Sequence, residues 1–173
     1  MEDRNEIPRE IVGSRHSKLI IYITVNKKLM ADISNQSKTP HAIVSADTSN
    51  CFNRVAYLIS ALSCMHFSLK ENYIQTFFET IQNIKMYLLT THGLSDTYYT
   101  GSLSQPFQGL IQGNGTASPS FMLIVILLIR SLYFADLVPT ASSPISHCIY
   151  HLAGQIFVDD SDFNIMNQDR EDK

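Results

Sequence analysis

Residues 149–162 read Ile-Tyr-His-Leu-Ala-Gly-Gln-Ile-Phe-Val-Asp-Asp-Ser-Asp, an apolar stretch that runs into clustered acids. Residues 149–158 fit a β-strand ending at Asp159–Asp160, with 163–166 as the return strand of a hairpin. Carboxylates at a strand end can enter an open cleft while the strand stays buried. Clustered carboxylates repel one another, so such a cluster calls for a cation.

Two further stretches are of the same kind. Residues 41–47 (His-Ala-Ile-Val-Ser-Ala-Asp) read as a short buried strand ending at Asp47, followed by Thr48, Ser49, Asn50, Cys51 and Phe52. The segment Gln112–Gly113–Asn114–Gly115 leads through Thr116 to Ser118–Pro119 and a helix. Glycines let a backbone approach a ligand closely, and a helix start offers free N–H groups to anions. No Gly–Lys–Ser/Thr follows, so the loop is not a P-loop. Hard oxygen ligands at two strand ends suit Mg²⁺, which keeps water and substrate phosphate oxygens in its shell. Together with the glycine loop they point to metal-assisted phosphoryl chemistry.

The remaining pattern supplies helices. Residues 14–36 show apolar positions at three- and four-residue steps, and Lys38–Thr39–Pro40 ends the pattern. A second helix is expected over 53–67 with Ser49 or Asn50 as cap. A third is expected over 70–89, where Ile74, Phe77, Phe78, Ile81 and Ile84 form a stripe. Short strands fit 87–91 and 97–100 around a Gly93 turn. A last helix starts near Pro119, tolerated in a first turn, and reaches about Asp136. Residues 139–144 read as a Pro/Ser-rich loop. The order predicts an α+β fold with helices packed on one face of a small antiparallel sheet.

The 173 residues are 45% hydrophobic and 17% charged, a globular composition. The net charge of −3 gives no general support for nucleic-acid binding. Its distribution is uneven. Residues 12–40 carry Arg15, Lys18, Lys27, Lys28 and Lys38 against Asp32 alone. From Met86 onward, acidic residues outnumber Arg130, Arg170 and Lys173. Cys51, Cys64 and Cys148 have no paired spacing, so neither a disulfide framework nor a zinc ribbon is indicated. His147, Cys148 and His151 lack a second ligand pair and read as structural. The N-terminus lacks a secretory signal, and the apolar run 121–129 is too short to span a bilayer. A soluble, intracellular protein with no membrane association is expected, with charged tails at 1–11 and 167–173 around a domain at 12–166.

In order, the three blocks resemble the palm motifs of reverse transcriptases, in the style of eukaryotic retrotransposons. Ala46–Asp47 to Cys51–Phe52 is similar to the strand motif with a metal-binding Asp and an aromatic residue five positions on. Leu110–Ile111–Gln112–Gly113–Asn114–Gly115 is similar to the Gln–Gly motif at a helix entrance. Phe157–Val158–Asp159–Asp160 is similar to the aromatic-x-Asp-Asp hairpin. The resemblance covers residues 12–163. It implies a polymerase palm in which Asp47, Asp159 and Asp160 are the catalytic metal carboxylates for two Mg²⁺ ions, with Mn²⁺ as an alternative. It also implies that Phe52 discriminates against a 2′-hydroxyl, and that Gln112 and Gly113 contact the nucleotide and template–primer. The implied partners are an RNA or DNA template–primer and deoxynucleoside triphosphates.

Asn53 stands where many relatives have a second acid, and Ser118–Pro119 falls one residue later than in the retroviral pattern. Forty-six residues precede Asp47 and thirteen follow Asp160, so fingers and thumb are expected largely outside this chain. Asp162 reads as a solvated turn residue. The competing reading is a non-catalytic retrotransposon remnant with at most a binding role. An RNA-dependent RNA polymerase palm is disfavoured by Phe52.

Overall fold

The computed structural model describes residues 7–13, 15, 18–102, 104–111, 113–143, 146–158 and 160–166. The fold is mixed α+β, with four helices and small antiparallel sheets, in chain order α1 (Ile21–Ser37), β1 (His41–Asp47), α2 (Tyr57–His66), α3 (Glu71–Asn83), β2 (Met86–Thr90), β3 (Gly93–Tyr99), α4 (Ala117–Phe134), β4 (Thr140–Ser142), β5 (Ile149–His151), β6 (Gly154–Phe157) and β7 (Asp160–Met166). Contacts group the chain into two compact units, Met1–Ser49 with Val125–Lys173, and Asn50–Ile124.

The first unit is built on a three-stranded antiparallel sheet of order β1-β7-β6. The strand at 41–47 forms as expected, but it is largely exposed rather than buried. It is an edge strand: among the described residues it is hydrogen-bonded to β7 alone. The opposite edge is covered. Residues 7–11, read as a charged tail, lie partly in the core, with Ile11 and Glu10 buried. The Val12 amide donates to the Ile156 carbonyl at 2.9 Å, and the Ile156 amide to the Glu10 carbonyl at 2.8 Å. The buried Glu10 carboxylate accepts the Tyr133 hydroxyl. Burial, then the Glu10 hydrogen bond and charge, push the Tyr133 phenol well above its ordinary value.

The strand expected over 149–158 is two strands in two sheets. β5 pairs with β4, and β6 pairs with β7. Leu152 and Ala153 between them are buried. At Gly154 a Cβ would collide with the Asp162 carbonyl, so only glycine lets the chain enter the main sheet there. The loop expected over 139–144 contains β4. Helix α1 begins at Ile21, later than expected, and ends where Lys38 turns left-handed with φ 55°. Met30 and Ile33 of α1 pack with Ala141, Leu152 and Met166.

In the second unit, Cys51–Arg54 form a 3-10 turn and α2 starts only at Tyr57. Asn50 does not cap it, because it is itself left-handed at φ 53° and makes no capping hydrogen bond. The expected helix 70–89 stops at Asn83, and β2 takes over from Met86. β2 and β3 form a hairpin, with Thr90 opposite Gly93. Gln82 anchors the loop beyond β3. Its amide donates to the Tyr57 hydroxyl at 2.7 Å and to the Phe107 carbonyl at 3.1 Å, and its oxygen accepts the Phe107 amide at 2.8 Å. Ile81 and Leu110 are fully buried.

Helix α4, with Pro119 in its first turn, is 18 residues long with a mean hydropathy of 1.8. By length and composition alone the whole helix reaches a membrane span, although the apolar run 121–129 does not. Ile126 and Ile129 on it are fully buried.

Candidate active site

The site in the first unit follows from strand register. Asp47, the last residue of β1, lies directly opposite Asp160, the first residue of β7. Across the other side of β7, Asp160 faces Phe157 of β6. Directly opposed residues share a face with Cβ atoms about 4.5–5.5 Å apart, and like charges so placed repel. Both aspartates are exposed, and neither carboxylate makes a hydrogen bond or ion pair with another described residue. The pair therefore presents carboxylate oxygens that have no partner among the described residues.

The turn that carries this pair is tight. Phe157 pairs with Asp160, which leaves two residues between the strands. The first of them, Val158, is left-handed with φ 58°. A β-branched residue there is strained, and such strain concentrates at functional turns. Asp159, the second, lies outside the described residues, as does Gln112.

One step further along the same face, Ser45, Asp162 and Gln155 form a second row, since Asp162 lies opposite Ser45 on β1 and Gln155 on β6. Asp162 is not a solvated turn residue. It lies inside β7, with its side chain 15% exposed, and forms an ion pair with Lys27 of α1. Ser45 donates its hydroxyl to the same carboxylate at 2.5 Å. Burial alone would raise the Asp162 pKa, but the hydrogen bonds from Lys27 and Ser45 and the Lys27 charge outweigh it and hold it below the ordinary value. Gln155 is buried, and neither its side-chain oxygen nor its nitrogen has a partner among the described residues. Both rows line one cavity of about 470 Å³, lined on its other side by Ile20 and by Ile23, Thr24 and Lys27 of α1.

This second row went unread in the sequence. Its signal was the two-residue spacing of Asp160 and Asp162, which places both on one face of a strand.

In the second unit the structure brings Phe52 against the glycine-bearing loop. The Phe52 carbonyl accepts the Leu110 amide at 2.6 Å. Its ring meets Phe121 edge-on at 5.6 Å. Gly109, at φ 78°, has no room for a Cβ against the backbone of Phe52 and Asn53. Ile111 is left-handed at φ 57°, and Gly113 at φ 89° faces open space. Among the described residues, no group of three His, Cys, Asp or Glu side chains converges as metal ligands.

No protein-family model matches the chain, and no curated protein matches it. Among solved structures it is similar to apo telomerase from Candida tropicalis truncated from its C-terminal domain, with a TM-score of 0.54 and 14% identity. The match covers 93% of this chain and 30% of that one, so the chain spans less than a third of that structure's length. At this identity the likeness is one of fold.

Proposed function

We propose that the chain is the palm portion of an RNA-directed DNA polymerase of the retrotransposon reverse-transcriptase kind, working within a longer, soluble, intracellular protein that supplies fingers and thumb. The observation that carries this reading is the register of Asp47 against Asp160 beside a two-residue hairpin turn. The likeness of fold to a telomerase structure supports it.

In this reading Asp47, Asp160 and Asp159 hold two Mg²⁺ ions, or Mn²⁺ in their place. Metal held by these carboxylates would supply a lowered pKa at a primer 3′-hydroxyl and charge neutralisation at the leaving pyrophosphate. The residues themselves do little acid–base work, and their task is to fix the geometry of in-line attack on a deoxynucleoside triphosphate. The exposed carboxylate pair at the sheet's end leaves metal and substrate free access. The reading assigns discrimination against a 2′-hydroxyl to Phe52, whose ring meets Phe121 and whose carbonyl accepts the Leu110 amide. Gln112 and Gly113 contact the incoming nucleotide and the RNA or DNA template–primer backbone. The open space at Gly113 suits close approach by a ligand backbone.

Primer extension on an RNA template with deoxynucleotides tests the reading. Asp160→Asn lowers extension on the order of a thousandfold or more, as expected for loss of a metal carboxylate. Phe52→Ala raises ribonucleotide incorporation. Extension untouched by Asp160→Asn overturns the metal assignment, and absence of any extension by the wild type within its complete reading frame favours a non-catalytic remnant.

A further inference from the structure

Helix α1 carries two adjacent lysines with different fates. Lys28 makes the ordinary surface pair with Asp32, one turn on, at 2.9 Å. Lys27 leaves its own helix and reaches the sheet, where Asp162 holds it. Its ammonium is thereby placed in the cavity that also opens onto Asp47 and Asp160. Asp162 and Asp160 are two residues apart on one strand and share a face, so the rows stand about 7 Å apart. At that distance, in a partly buried setting, a unit charge still acts on a bound divalent cation.

From this placement we propose that Lys27 and Asp162 are positioning residues that together set the cation affinity of the Asp47–Asp160 pair: Lys27 is a built-in counter-ion, and Asp162 holds it off the pair. This rests on the reading of Asp47 and Asp160 as metal carboxylates. In the observed arrangement the ion pair cancels its own charge. Without Asp162, the Lys27 ammonium loses its ion-pair partner in the same cavity, where the remaining carboxylates of the lining are Asp47 and Asp160, and it competes with metal. Without Lys27, Asp162 adds an uncompensated negative charge below the pair. Gln155 supports a role beyond architecture. A purely structural polar row would close its own hydrogen bonds, whereas the buried Gln155 carboxamide across the strand from Asp162 has none among the described residues.

Mn²⁺ binding to the chain, followed by electron paramagnetic resonance at neutral pH and low salt, tests the proposal without depending on catalysis. Asp47→Asn serves as the control for the site. Lys27→Met, or Lys27→Gln should the methionine variant fold poorly, tightens Mn²⁺ by about three- to tenfold, and Asp162→Asn weakens it by a similar factor. The double variant returns close to the wild type. A merely structural ion pair predicts the same direction for both single variants. Changes of equal sign, or no change while Asp47→Asn abolishes binding, overturn the proposal and leave the carboxylate pair standing. Wild-type Mn²⁺ binding that Asp47→Asn does not alter overturns the reading of the pair itself, and this proposal with it.

Discussion

Asp162 ties stability to pH. Its folded pKa lies below the ordinary carboxylate value. The stabilisation is therefore present above the unfolded value of about 3.9 and is lost as pH falls through the lower folded value. In denaturant melts below about pH 4, the wild type should lose stability more steeply than Asp162→Asn. Equal slopes would contradict the pairing with Lys27 and Ser45. Gln155 gives a second test. An unpaired buried carboxamide costs about 1–3 kcal/mol, so Gln155→Leu should leave stability unchanged or raise it in thermal melts. A large loss would mean that the amide has a partner, such as bound water. At this scale the sequence was half legible. Asp47 and Asp160 stood out because each lies at the end of an apolar stretch. Asp162 did not, because aspartate is a poor strand former and a third acid after two others looks like a turn.

The hairpin and the glycine loop show where elements follow the sequence and where tertiary contacts take over. Val158 occupies a left-handed position that asparagine tolerates at lower cost. Val158→Asn should therefore raise stability by about 1 kcal/mol, read as a higher melting temperature. A decrease would argue against the strained turn. Gly109→Ala should destabilise by about 2 kcal/mol or more, since its backbone is left-handed and the new Cβ strikes Phe52 and Asn53. A neutral effect would separate Phe52 from that loop. The helices were legible from their apolar periods, although α1 begins seven residues later and α3 ends six residues earlier than those periods implied. The break at Asn83 was not, because the stripe Ile74–Ile81 continues smoothly to Ile84 while Gln82 pins the chain to the next loop. Nor was the division of 149–158 between two sheets legible. An apolar run reads as one strand, and only the close approach of Gly154 to Asp162 shows the crossing.

At the scale of the molecule, the account depends on topology joining residues far apart in sequence. β1 and β7 come from opposite ends of the chain, and their pairing sets Asp47 beside Asp160. The sequence contained both acids and their order, but not the register, which a one-residue slip would have reversed by sending one aspartate to the other face. The α+β class was legible from the alternation of periods. The exposed edge of β1 was not, because its residues are as apolar as those of a buried strand. If the two aspartates form one site, their contributions to cation binding are not additive. The most direct measurement is therefore a Mn²⁺ titration of the wild-type chain, Asp47→Asn, Asp160→Asn and the double variant. Saturable binding that either single substitution reduces sharply, with little further loss in the double variant, is the predicted result. Binding that is insensitive to both, or losses that simply add, would contradict a shared carboxylate pair.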